Sequence, residues 1–92
     1  MDIEAIWANI VKNEGEIFNQ IKGQAFTYTV NNRKTRIKLS TTNQSITRNL
    51  FEQAANLYPF ENTVPLQHLR APSYLFALLS DKRIVKILKK KK

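Results

Sequence analysis

Two runs of alternating side-chain type, Gln24-Ala25-Phe26-Thr27-Tyr28-Thr29-Val30 and Lys34-Thr35-Arg36-Ile37-Lys38-Leu39, flank the dipeptide Asn31-Asn32. Alternation of period two marks a strand with one buried face, and Asn tolerates the positive φ that tight turns require. The segment therefore reads as a β-hairpin closed by a two-residue or a four-residue loop. Either register assigns the same faces. Phe26, Tyr28 and Val30 lie with Thr35, Ile37 and Leu39, while Thr27 and Thr29 lie with Lys34, Arg36 and Lys38. A fold built on this hairpin must cover the first face and leave the second as a basic, hydroxyl-bearing surface.

The rest of the chain supplies the cover. Ile3, Ile6, Trp7, Ile10, Ile17, Phe18 and Ile21 recur at helical spacing, which predicts one amphipathic helix from about Asp2 to Lys22, with Gly23 as its C-cap. Gly15 weakens that helix by about 1 kcal/mol against Ala and leaves open two shorter helices broken near Asn13 to Gly15. After a polar linker, Ser40 to Gln44, a second helix is expected from about Thr47 to Tyr58, capped by Ser45 or Thr47 and ended by Pro59. The stretch from Phe60 to Ala71 reads as a loop with one short turn beginning at Pro65. Pro72 suits the first position of a helix through Ser80 that buries Tyr74, Leu75, Leu78 and Leu79, and Asp81 closes it. The β-branched run Arg83-Ile84-Val85-Lys86-Ile87-Leu88 fits either a third strand on the hairpin or a basic helical extension. These elements make a small α+β domain over residues 1–88, followed by a Lys89 to Lys92 tail expected to be disordered. They compare with a winged helix in which the hairpin would be the wing.

Charge is segregated along the chain. The net charge is +8 over 92 residues. Between Gly23 and Arg48 the cations Arg33, Lys34, Arg36, Lys38 and Arg48 meet no acidic residue, and neither do Lys82, Arg83, Lys86 and Lys89 to Lys92 at the C-terminal end. Clusters of one sign attract polyanions over about a Debye length, ~8 Å at physiological salt. The apolar fraction of 42% is that of a folded chain rather than a disordered one. The absence of cysteine removes disulfides, thiolate ligation and thiol chemistry, and suits a reducing compartment. The acidic start Met1-Asp2-Ile3-Glu4 lacks the basic region of a secretory signal, and no apolar run approaches the ~18 residues of a membrane span. A cytoplasmic protein without a membrane partner is expected.

Catalytic constellations are lacking. His68 is the one histidine and has no acid near it in sequence, so it reads as a surface or packing residue. Asp2/Glu4 and Glu14/Glu16 are two apart, a spacing that does not bring side chains onto one helix face. Two isolated glycines cannot form a phosphate-cradling loop, and no serine stands in a nucleophile-elbow context. The chain reads as non-enzymatic, with no cofactor or metal.

The hairpin patch carries the functional reading. Basic side chains at alternate positions project together, with Thr27, Thr29 and Tyr28 among them, so cations would neutralise phosphates while hydroxyls bond to phosphate oxygens. Arg33, Lys34, Arg36, Lys38 and Arg48 are the expected contacts, and Lys82, Arg83 and Lys86 add to them. DNA is favoured over RNA. The competing reading of the patch is a solvated sheet face. A reading from another class is a protein-interaction module, such as a nuclease inhibitor or antitoxin-like regulator, that uses Phe60 in its loop, or Trp7 if the first helix is incompletely covered. Self-dimerisation fits the same apolar surface.

The pattern Gly23-x-x-Phe26-x-Tyr28-x-Val30, then Leu50-Phe51-Glu52-x-Ala54, then Pro72-Ser73-Tyr74-Leu75-x-Ala77-Leu78-Leu79-x-Asp81-x-Arg83-Ile84, resembles small basic accessory proteins of bacterial mobile elements. Among them is the polymerase-associated middle protein of staphylococcal cassette-chromosome replication modules, also similar in size and Asn/Ile/Lys-rich composition. The resemblance spans about residues 23 to 84. It implies a non-catalytic subunit that binds a family A DNA polymerase and helps it begin synthesis on a single-stranded template, and it assigns no site residues.

Overall fold

The computed structural model describes residues 2–20, 22–58 and 63–85. Over these residues the protein is α+β, with three α-helices, one 3₁₀ turn and five short strands in two antiparallel sheets.

Helix α1 spans Ile3–Lys12. It begins where the Asp2 carboxylate accepts from the free amides of Glu4 (3.1 Å) and Ala5 (3.3 Å), and it buries Ile6, Trp7 and Ile10. The expected helix through Lys22 is corrected here, because the helix ends at Asn13 and Gly15 turns the chain back with φ +87. The break falls in the Asn13 to Gly15 region left open by the sequence, but a strand follows it rather than a second helix. Glu14 and Gly15 serve the sheet instead. The Gly15 amide donates to the Tyr28 carbonyl (3.1 Å), and the Glu14 carboxylate accepts from the Val30 amide (2.7 Å). Together they occupy an edge that would otherwise carry unpaired backbone groups.

Strand β1 (Phe18–Asn19) pairs with β2 (Ala25–Phe26) across a turn where Gly23 takes φ +92. Thr27 is the hinge at which the chain passes from this small sheet into the second one. Its amide donates to Ser40 Oγ and its carbonyl accepts from the Ser40 amide, both at 2.9 Å. Strands β3 (Tyr28–Val30), β4 (Arg36–Leu39) and β5 (Ser45–Thr47) form a meander in that order, with Tyr28 opposite Leu39 and Ile37 opposite Ile46. The third strand of this sheet is therefore Ser45–Thr47, which follows the expected polar linker and holds the residues expected to cap the second helix. Residues 81–85 are a turn, closed by the Ile84 and Val85 amides on the Asp81 carbonyl, and 86–88 lie outside the described residues. The hairpin compared with a wing does not stand free, since β4 is the central strand and pairs with β5 on its far side.

Helix α2 (Arg48–Ala55) is capped by the Thr47 hydroxyl, which accepts from the Leu50 amide at 3.0 Å. A 3₁₀ turn at Val64–Leu66 precedes α3 (Pro72–Leu79), which opens on proline as expected. One core joins these elements. Ile6, Trp7 and Ile10 of α1, Phe51 and Ala54 of α2, and Leu75, Leu78 and Leu79 of α3 pack on Phe18, Phe26, Tyr28, Ile37, Leu39 and Ile46 of the sheets. The helices thus cover one face of the β3–β4–β5 sheet, and alternation turns the other outward. Among the described residues no helix is long and apolar enough to cross a membrane.

Candidate nucleic-acid interface

The outward face of the β3–β4–β5 sheet is set by register. Lys38 on the central strand has Thr29 on one side and Ser45 on the other, while Arg36 lies opposite Thr47. Arg36 and Lys38 are exposed, as are Thr29 and Thr47, and Ser45 is half-buried. Two shallow grooves cross this surface and share Thr29 and Lys38. One, of about 630 Å³, runs from Thr27 and Thr29 over Lys38 and Ser40 to Thr41, Thr42 and Asn43. The other, of about 310 Å³, takes in Asn31, Arg36 and Ser45. Hydroxyls and cations share the surface, the donor set that phosphate oxygens accept from.

The structure divides the other hairpin cations from this face. Arg33 and Lys34 sit in the β3–β4 turn, and with Arg48 at the start of α2 they line a separate groove against α1, beside Glu4, Trp7, Ala8 and Val11. The turn itself departs from expectation. Asn31-Asn32 does not supply the left-handed residue, which is Lys34 at φ +58. Asn31 acts through its side chain, its Oδ1 accepting from the amides of Thr35 (2.8 Å) and Arg36 (3.0 Å). The Trp7 indole N–H donates to the Lys34 carbonyl at 2.9 Å and fixes the tip.

Two residues assigned to surface roles belong to the core. Trp7 is 4% exposed and packs its ring on Phe51 at 5.7 Å, so the condition for its reaching a partner, an uncovered first helix, is not met. Tyr28 does not lie among the outward hydroxyls. Its ring is buried and its hydroxyl donates to the Ile10 carbonyl at 2.6 Å, and burial raises its pKa well above the ordinary phenol value.

Arg83 is engaged within the molecule. Its guanidinium lies 4.0 Å from the centre of the Phe18 ring, forks onto both Asp81 oxygens at 2.9 Å and donates to the Ile17 carbonyl at 2.9 Å. Those bonds hold the Asp81 carboxyl below the usual carboxylate range and the Arg83 guanidinium above its own. This is the one ion pair among the described residues, so Arg33, Lys34, Arg36, Lys38 and Arg48 have no carboxylate within salt-bridge distance there. Lys82 is exposed beside Arg83, His68 is exposed, and Phe60 and Lys86 lie outside the described residues.

Ser45 and Thr47 share the outward face with Lys38 and Arg36, a placement that sequence reasoning missed by reading them only as helix caps. Ser45-Ile46-Thr47 alternates polar, apolar, polar, but three residues are too few for periodicity to stand out. Comparison with family models, with curated proteins and with solved structures finds no match to this chain.

Proposed function

We propose that this chain is a non-catalytic nucleic-acid-binding accessory protein that holds the phosphates of DNA on the outward face of its three-stranded sheet. The observation that carries the reading is the placement of Arg36 and Lys38 on the central strand, exposed, flanked by Thr29, Ser45 and Thr47, with no carboxylate partner among the described residues. A surface evolved only for solubility mixes signs. One that releases counterions from a nucleic acid keeps a single sign and adds neutral donors. Lys82 and the C-terminal lysines would extend the field without base choice.

Association with a DNA polymerase, in replication of a mobile element, rests on the resemblance alone and belongs to the same proposal. A stoichiometric polymerase that stays bound through high salt during co-purification would support it. The protein-interaction reading is weakened by the burial of Trp7.

The test is fluorescence anisotropy on a labelled single strand and its duplex over a salt series, with the full chain and with a chain ending at Leu88. Salt-sensitive binding that survives truncation is expected. Binding that disappears with the terminal lysines would overturn the assignment to the sheet.

A further inference from the structure

We infer that the sheet face holds the sugar–phosphate backbone and leaves the bases unread, so that its grip is independent of base identity. The inference rests on the nucleic-acid reading above and concerns which part of the strand the site takes. Sheets that bind single strands through their bases present aromatic rings on the binding face, and each base stacks on one. Here the side chains that point outward are Thr29, Arg36, Lys38, Ser45 and Thr47, none of them aromatic.

The aromatic rings of the hairpin are on the other side. Phe26 is 2% and Tyr28 1% exposed. Tyr74, which reaches Thr41 at the end of the larger groove, does so through its hydroxyl at 2.7 Å while its ring stands edge-on to Phe26 at 4.9 Å. Tyr28 is the one aromatic residue among those that line the groove, and its ring is buried against Phe18 rather than offered to it. What remains is a backbone-matching surface. Arg36 and Lys38 are two residues apart on one strand, roughly 6.8 Å, a spacing comparable to that of successive phosphates along one nucleic-acid strand. Hydroxyls beside each cation complete the donor set for the same oxygens.

The experiment measures binding of the full chain and of the double variant R36A/K38A to a mixed-sequence deoxyoligonucleotide and to an abasic deoxyribose-phosphate strand of equal length. Circular dichroism confirms that the variant is folded, as expected for two exposed side chains. The double substitution should weaken both strands by the same factor, about tenfold or more near 50 mM salt, since the sheet then has two fewer cations to neutralise phosphates on either strand. A variant that weakens the base-bearing strand but spares the abasic one would overturn the inference while leaving the nucleic-acid reading in place. Salt-insensitive binding, or no binding of either strand, would remove both.

Discussion

The indole N–H of Trp7, in the middle of α1, donates to the backbone carbonyl of Lys34, at the tip of the β3–β4 turn, across 2.9 Å. One side chain thereby ties the helix that covers the sheet to the loop that carries Arg33 and Lys34. Replacing Trp7 with Phe keeps most of the ring and removes the donor. The expected cost is about 1–2 kcal/mol, because the Lys34 carbonyl loses its partner in a partly buried place. Denaturant unfolding measures it, and a midpoint equal to that of the parent would show that the bond contributes nothing.

Gly15 ends α1 for conformational rather than spatial reasons. A Cβ there would meet nothing within 4 Å, yet φ is +87. Gly15→Ala should therefore lose about 1–2 kcal/mol from backbone strain alone. Thermal unfolding tests this, and a gain in stability would mean that the turn relaxes to negative φ at no cost.

The hydroxyl of Tyr28 satisfies the Ile10 carbonyl in the last turn of α1, one of the groups that helix ends leave without a partner. Tyr28→Phe should cost about 1–2 kcal/mol. Burial raises the phenol pKa in the folded state, so the neutral form favours folding. That contribution is complete below the unfolded value of about 10 and is lost as pH rises beyond it. Stability measured from neutral to alkaline pH should fall more steeply for the parent than for the Phe variant, and parallel curves would contradict the assignment.

Asp81 behaves in the opposite sense. The Arg83 fork depresses its pKa, so its contribution is present above the unfolded value of about 3.9 and disappears as pH falls through the lower folded value. The pair is partly exposed, which keeps its worth modest. Asp81→Asn should melt below the parent at neutral pH and converge with it in acid. A constant gap across the acid range would show that the loss does not come from the charge of the Asp81 carboxylate.

The hairpin faces could be read from alternation because β3 and β4 are buried on one side only, a condition that writes itself into residue order. Phe26, Tyr28, Ile37 and Leu39 point inward as that order requires. The Pro72 start of α3 was equally readable, and the α2 cap was narrowed to Ser45 or Thr47, since each depends on a local chemical need. The first helix was overextended because Ile17, Phe18 and Ile21 continue its spacing, while the turn that ends it is settled by bonds from Glu14 and Gly15 to β3, distant in sequence. The same limit applied to the site. Cations adjacent in sequence were expected to act together, but the left-handed backbone at Lys34 and the Trp7 bond hold the turn with Arg33 and Lys34 at the α1 groove, where Arg48 of α2 joins them, and Arg36 and Lys38 stay on the open face. Arg83 looked like a free cation, and only the fold brings it onto Phe18 and Ile17.

The most direct measurement is the salt slope of single-strand binding for the full chain and for R36A/K38A. Removing two phosphate-neutralising cations from the sheet should reduce the slope of log K against log salt by about 1.4, at roughly 0.7 for each phosphate on a single strand. An unchanged slope in a folded double variant would contradict the claim that this sheet face meets the nucleic acid.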